Sequence, residues 1–124
     1  MRIIAISILL LSFQPIVTPA ADKNGNYAIW GMGRNTCYSY NMAREAEDYV
    51  RYKDYLMGYL TAYNVVAENT YRISGKMELD NILEWMDDYC ELKQVHSFEL
   101  VLADFILEHK ETRIKKARLK KRPR

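Results

Sequence analysis

The chain has 124 residues, two cysteines, ten tyrosines and a formal net charge of +2 at pH 7. With an expected leader of 20 residues removed, 124 − 20 = 104 remain, which suits one small domain with a modest core and excludes two. The near-neutral charge hides a division: residues 22–109 hold fifteen acids and eight bases, a net of −7, whereas residues 110–124 hold nine bases and one acid, a net of +8. Arg2 supplies the remaining +1. An acidic domain with a basic tail suggests an electrostatic partner for one half.

Met1 and Arg2 make a short positive start, and residues 3–13 form an apolar run of eleven. Gln14 and Pro15 break the run, and Thr18, Pro19, Ala20 and Ala21 supply small residues for cleavage. This pattern predicts a secretory signal peptide over residues 1–20, cut after Ala20 or after Ala21. The run is too short for a bilayer span, which needs about 20 apolar residues. No later stretch is long and apolar enough to be a membrane helix. The expected product is a soluble exported protein of the periplasm. In that oxidising compartment the default for Cys37 and Cys90 is one disulfide, a loop closure that stabilises by about 4 kcal/mol. A zinc site would need more ligands than His96 and His109 supply. No cofactor or metal is expected.

Residues 22–35 read as irregular, with Asn24-Gly25 a turn signal. Gly31 and Gly33 flank Met32 without a preceding strand, so they are no phosphate loop, and Trp30 is expected to pack over the domain edge. Thr36 or Ser39 caps a first helix running to about 47. It brings Cys37, Tyr40 and either Met42 or Ala43 toward the core. A central helix is predicted over 48–69, because apolar or aromatic residues recur at 49, 52, 56, 59, 60, 63, 66 and 67. Whether it runs on from the first helix or is kinked away from it stays open, since neither glycine nor proline marks a break. Glu45, Glu47 and Asp48 would lie favourably against its N-terminal dipole. Gly58 and Ala62, four apart, are expected to let a neighbouring helix approach closely and cover a second side.

Ser74-Gly75 ends this segment, and a third helix is predicted over 79–93. Leu79, Ile82, Leu83, Met86 and Cys90 share its inner face, while Asp80, Glu84, Asp87, Asp88 and Glu91 form a solvated acidic face. Ser97 caps the last helix, with Glu99 in its first turn and Phe98, Val101, Leu102 and Phe105 buried. His109 continues that stripe, and the domain is bounded there. Residues 110–124 are expected to be frayed helix or disorder. The reading is all-α: a small four-helix domain over 21–109, bundled or orthogonal, with one disulfide.

Cys37, the run Gly58-Tyr59-Leu60-Thr61-Ala62-Tyr63-Asn64, then Asp80, Ile82, Trp85, Tyr89-Cys90 and Phe98 form a pattern that resembles a group of small exported bacterial proteins, most without an assigned activity. In layout the chain is similar to HdeA/HdeB-type periplasmic acid-stress chaperones and to Tai-type immunity proteins that block cell-wall amidases. It departs from the group at Gln94-Val95-His96, where Asn-Pro usually follows the second cysteine, and in its basic tail. The resemblance implies a non-enzymatic protein that meets unfolded clients, or else an inhibitor of a toxin enzyme, with a homodimer also open. The fifteen carboxylates of residues 22–109 would begin to protonate below about pH 5, loosening the packing for client binding. Tyr55, Tyr59, Tyr63, Asn64, Trp85 and Tyr89 are the candidate contact residues.

No motif pairs a nucleophile with a base, so no catalytic residue is assigned. In the tail, Lys115, Lys116, Arg118, Lys120, Lys121 and Arg122 are candidates for polyanion binding. Export makes an anionic envelope surface the expected partner and excludes nucleic acid in the cell. The alternative is a solvated tail, or one folded against the protein's own acidic face.

Overall fold

The computed structural model describes residues 21–118. The expected signal peptide and the tail cations Lys120, Lys121 and Arg122 lie outside the described residues. The described residues form four helices: α1 (Cys37–Glu45), α2 (Val50–Val66), α3 (Leu79–Leu92) and α4 (Phe98–His109). Short 3-10 turns at Gly31–Arg34 and Lys110–Thr112 precede α1 and follow α4. Among the described residues there is no strand, only two isolated bridges. The protein is all-α, as the periodicity predicts.

Local chemistry starts two of the helices. The Thr36 hydroxyl accepts from the Ser39 amide at 3.3 Å, and the Ser97 hydroxyl accepts from the Leu100 amide at 3.3 Å. Each side chain satisfies an amide that the first helical turn would leave orphaned. The two caps are also neighbours, joined in an antiparallel bridge between Thr36 and Ser97. Around it, Phe98 donates to the Asn35 carbonyl at 2.7 Å, Cys37 to His96 at 2.8 Å and Tyr38 to Gln94 at 2.9 Å. The Cys37–Cys90 disulfide, with Cα atoms 4.8 Å apart, ties α1 to α3 beside this zipper. That spacing lies inside the range of about 4.4–6.8 Å that a disulfide allows.

The core forms where these ties converge. Phe98 is fully buried, stacked on Tyr40 at 5.0 Å between ring centroids and edge-on to Tyr52 at 5.0 Å. Leu56 and Leu60 of α2, Ile82, Leu83 and Met86 of α3, and Val101, Leu102, Phe105 and Ile106 of α4 complete it. Gly33 lets the N-terminal turn reach this core: a Cβ there would lie 2.1 Å from the Tyr55 hydroxyl. Of the alternatives for α1, Ala43 is half-buried and Met42 is exposed.

The structure decides what the sequence leaves open between the first two helices: Glu47 adopts φ 55°, a left-handed turn that separates α1, ending at Glu45, from α2, starting at Val50. Several expectations are corrected. Because α2 starts at Val50, its first turn holds no acid, and Glu45 sits instead at the carbonyl end of α1. α2 ends at Val66 rather than 69, and Val66 is 77% exposed. Gly58 and Ala62 face solvent, and a Cβ on Gly58 would meet nothing. No other described element reaches that side of α2, so the helix is covered on one face. Trp30 is 81% exposed rather than packed on the domain edge.

The tail does not dissolve at His109. Ile114 pairs with Arg72 through two backbone bonds of 2.9 and 3.0 Å, and its carbonyl also accepts from the Tyr71 amide. Gly75 makes room for this return, since a Cβ at its φ of 60° would sit 2.8 Å from the Thr112 carbonyl oxygen. The wholly frayed tail expected from 110 onward is therefore corrected over residues 110–114. An isolated Ile114 among bases has no periodic signal, and its partner lies more than forty residues earlier.

Reduction, or Cys37→Ala combined with Cys90→Ala, is expected to lower the unfolding free energy by about 4 kcal/mol. The urea midpoint measures this. An unchanged midpoint would show that the hydrogen-bonded zipper alone holds the two helix starts together.

Candidate functional site

The candidate contact residues do not form one surface. Tyr55, Tyr59, Tyr63 and Asn64 line α2, whereas Trp85 and Tyr89 lie on α3. The Tyr59 hydroxyl donates to Glu99 Oε1 at 2.9 Å, and Tyr27 donates to Glu99 Oε2 at 3.2 Å. On the other side, the Tyr89 hydroxyl donates to Asp104 and lies 2.9 Å from His96 Nδ1. Trp85 Nε1 donates to Glu108 Oε1 at 3.1 Å. Asp104 and Glu108 follow Glu99 by five and nine residues, about 140° and 180° around α4. The two aromatic groups therefore flank α4 on opposite sides. Asn64 serves the fold, because its Oδ1 accepts from the Ile73 amide at 2.8 Å and ends the turn after α2.

The sequence marks Glu99 only as a helix-dipole partner, yet it is 5% exposed. A buried carboxylate is tolerated where donors satisfy it, and two phenols do so here. The sequence carried one signal: Glu99 lies seven residues before Ile106, about 20° from it on a helical wheel, at the edge of the buried stripe. Asp87 departs likewise from the solvated face assigned to it. Arg44 reaches it through two bonds of 2.8 and 2.6 Å, and the buried Tyr40 hydroxyl donates to it at 2.7 Å. The Arg44 guanidinium also covers the Tyr49 ring at 4.3 Å.

These contacts explain the phenols. Burial, and then the bond to Asp87, holds Tyr40 far above the ordinary tyrosine range. Burial and then Glu99 raise Tyr59, burial and then the Glu99 charge raise Tyr55, and the Glu99 charge, followed by burial, raises Tyr27. Tyr89 is pushed up to about 12 by burial and its bond to Asp104.

The returning tail builds a different kind of site. Where residues 113–118 pass the 71–78 loop, they enclose a groove of about 510 Å3. Tyr71 and Ile114 supply apolar wall, and Arg72, Lys76, Lys116 and Arg118 supply positive charge, with Glu78 at one side. Arg72 is committed to the loop: it donates to Ser74 Oγ at 3.1 Å and the Met77 carbonyl at 2.6 Å, and pairs with Glu78 at 3.2 Å. Lys76, Lys116 and Arg118 are exposed and enter neither of the two ion pairs found among the described residues. A second groove, of about 440 Å3, lies where Lys110 and Arg113 meet Tyr63 and the exposed Val66 at the end of α2. Lys115, Lys116 and Arg118 thus start from an ordered root. The contribution of Arg72 and Lys76 to this edge had no signal in the sequence, since both are separated from the basic run by two helices.

No protein-family model matches the chain, and neither does any curated protein or solved structure.

A phenol whose folded-state value is raised binds its proton more tightly in the folded state. Its contribution to stability is whole below the unfolded value near pH 10 and fades as pH rises through the folded value. Five of the ten tyrosines, Tyr27, Tyr40, Tyr55, Tyr59 and Tyr89, are raised in this way. Titration of phenolate absorbance should show these five phenols ionising late, with helix loss accompanying them. Ten phenols ionising together near pH 10 with the helices intact would contradict these assignments. Separately, Asp87→Ala leaves the buried Tyr40 hydroxyl without its acceptor, which should cost about 1–3 kcal/mol. The Tyr40→Phe, Asp87→Ala double variant should recover part of that loss in the urea midpoint.

Proposed function

We propose that this protein is a non-enzymatic binding protein of the periplasm that holds to anionic surfaces of the cell envelope through the edge formed by its tail and the 71–78 loop. The observation that carries this reading is the pairing of Ile114 with Arg72. It converts a basic run into a basic edge, with its first cations held beside Lys76 and the exposed Tyr71. Each base near an anionic membrane contributes about 1 kcal/mol before screening, and the tail holds nine. The rest of the domain is acidic and repelled by such a surface, so contact is confined to this edge.

A second reading, acid-triggered client binding, is favoured by one observation. Tyr59, Tyr89 and Tyr40 are all tied across helices to carboxylates, those of Glu99, Asp104 and Asp87. Protonating the acceptors would weaken the contacts that hold Tyr59 and Tyr89 in place. Light scattering from an aggregating client at pH 2–3 tests it, and unchanged aggregation with this protein in molar excess would end it.

The envelope reading predicts co-sedimentation with anionic vesicles but not with zwitterionic ones. The bound protein should be released at 1 M salt, where the screening length is about 3 Å. A chain ending at Ile114 should keep its helical content and lose most vesicle binding. A chain ending at His109 should also lose stability, because it lacks the Ile114 pairing and the cover over Gly75. Equal binding to zwitterionic vesicles, or full binding by the chain ending at Ile114, would overturn the reading.

A further inference from the structure

The groove at the root of the tail differs from the rest of the basic edge, because its cations and the apolar side chains of Tyr71 and Ile114 line the same space. We infer that this groove is a discrete site for one phospholipid head group bearing a phosphate monoester, the lipid being held by Lys76, Lys116 and Arg118 at its phosphate and by Tyr71 and Ile114 at its glycerol and upper acyl chain. The inference rests on the envelope reading above and names the ligand class of that same edge.

Three features lead to it. The volume, about 510 Å3, lies within the range of sites for small ligands, about 300–1,000 Å3. Arg72 is held by Ser74, Met77 and Glu78 through its Nε and Nη2 and serves as frame. That leaves three cations from two separate segments, the loop and the tail, turned to one space. A phosphate monoester carries a charge of about −1.5 to −2 near neutral pH and three acceptor oxygens. It can therefore take charge-assisted bonds from several donors at once, with Arg118 able to offer two parallel N–H groups. A phosphodiester offers a single charge and two free oxygens, which leaves part of this donor set unused. The apolar wall supplies the other half of the match. Tyr71 is 55% exposed and stands next to Ile114. A free inorganic anion would gain nothing from them, whereas a lipid's carbon backbone would bury their surface.

The experiment uses oxidised protein and a short-chain phosphatidic acid kept below its micelle concentration, followed by the NMR shifts of Tyr71 and Ile114. Saturable one-to-one binding is expected, with inorganic phosphate more than about tenfold weaker. The variant Lys76→Gln, Lys116→Gln, Arg118→Gln should lose more than about tenfold in affinity for the short-chain lipid. The variant Lys120→Gln, Lys121→Gln, Arg122→Gln removes the same charge from the distal tail and should bind the lipid almost as tightly as the parent. Circular dichroism verifies that both are folded. If anionic vesicles bind while the short-chain lipid does not saturate, or if both variants lose equally, the groove is no site and the edge acts by charge alone. Inorganic phosphate binding as tightly as the lipid would overturn the lipid assignment. A failure of all anionic vesicles would take the envelope reading down with it.

Discussion

Cys37 and Cys90 hold the first turn of α1 against the last turns of α3, and the backbone beside them is paired from Asn35 to Phe98. The two caps, Thr36 and Ser97, meet inside that pairing, so α1 and α4 begin from the same place. Once this is fixed, Phe98 enters the centre of the protein against Tyr40 and Tyr52, and the inner face of α2 closes over it. A chain of this size has a modest core. Closing a loop across a separation of 53 residues removes many unfolded conformations that the core would otherwise have to outweigh.

The tyrosines extend that core outward. A phenol buries its ring and still presents a polar tip. Here the tips of Tyr40, Tyr59 and Tyr89 end on Asp87, Glu99 and Asp104. Each bond crosses between elements, so each specifies a helix pair as well as satisfying a carboxylate. This gives a tyrosine-rich chain a structural use for many of its rings. It also separates the two aromatic groups to opposite sides of α4, so no continuous tyrosine face is presented.

Charge is partitioned by the same architecture. The outer face of α3 carries Asp80, Glu84, Asp88 and Glu91, while the return of the chain after α4 places its bases beside the 71–78 loop. The backbone pairing of Ile114 costs no cation, because it uses only main-chain groups. Gly75 permits it by leaving space for the Thr112 carbonyl. The result is a basic edge with apolar side chains set into it, a combination suited to a surface that is both anionic and oily.

Sequence alone determined the helix spans of α3 and α4, the cap Ser97, most inner residues of the helices and the pairing of the two cysteines, and it narrowed the cap of α1 to Thr36 or Ser39. These depend on periodicity within one segment, on local hydrogen bonding, or on there being one partner to choose. Only the tertiary structure decided which side of α2 stays open around Gly58, why Asp87 and Glu99 are drawn inward, and where Ile114 comes to rest. Each of those is set by a partner far away in the chain: Arg44 and Tyr40 for Asp87, Tyr27 and Tyr59 for Glu99, Arg72 for Ile114. A carboxylate reads as solvated until a donor is packed against it, and a small-residue stripe reads as an interface until the neighbouring helices are seen to lie elsewhere. Local propensity is additive along the chain, but desolvation depends on what the fold brings within a few ångströms.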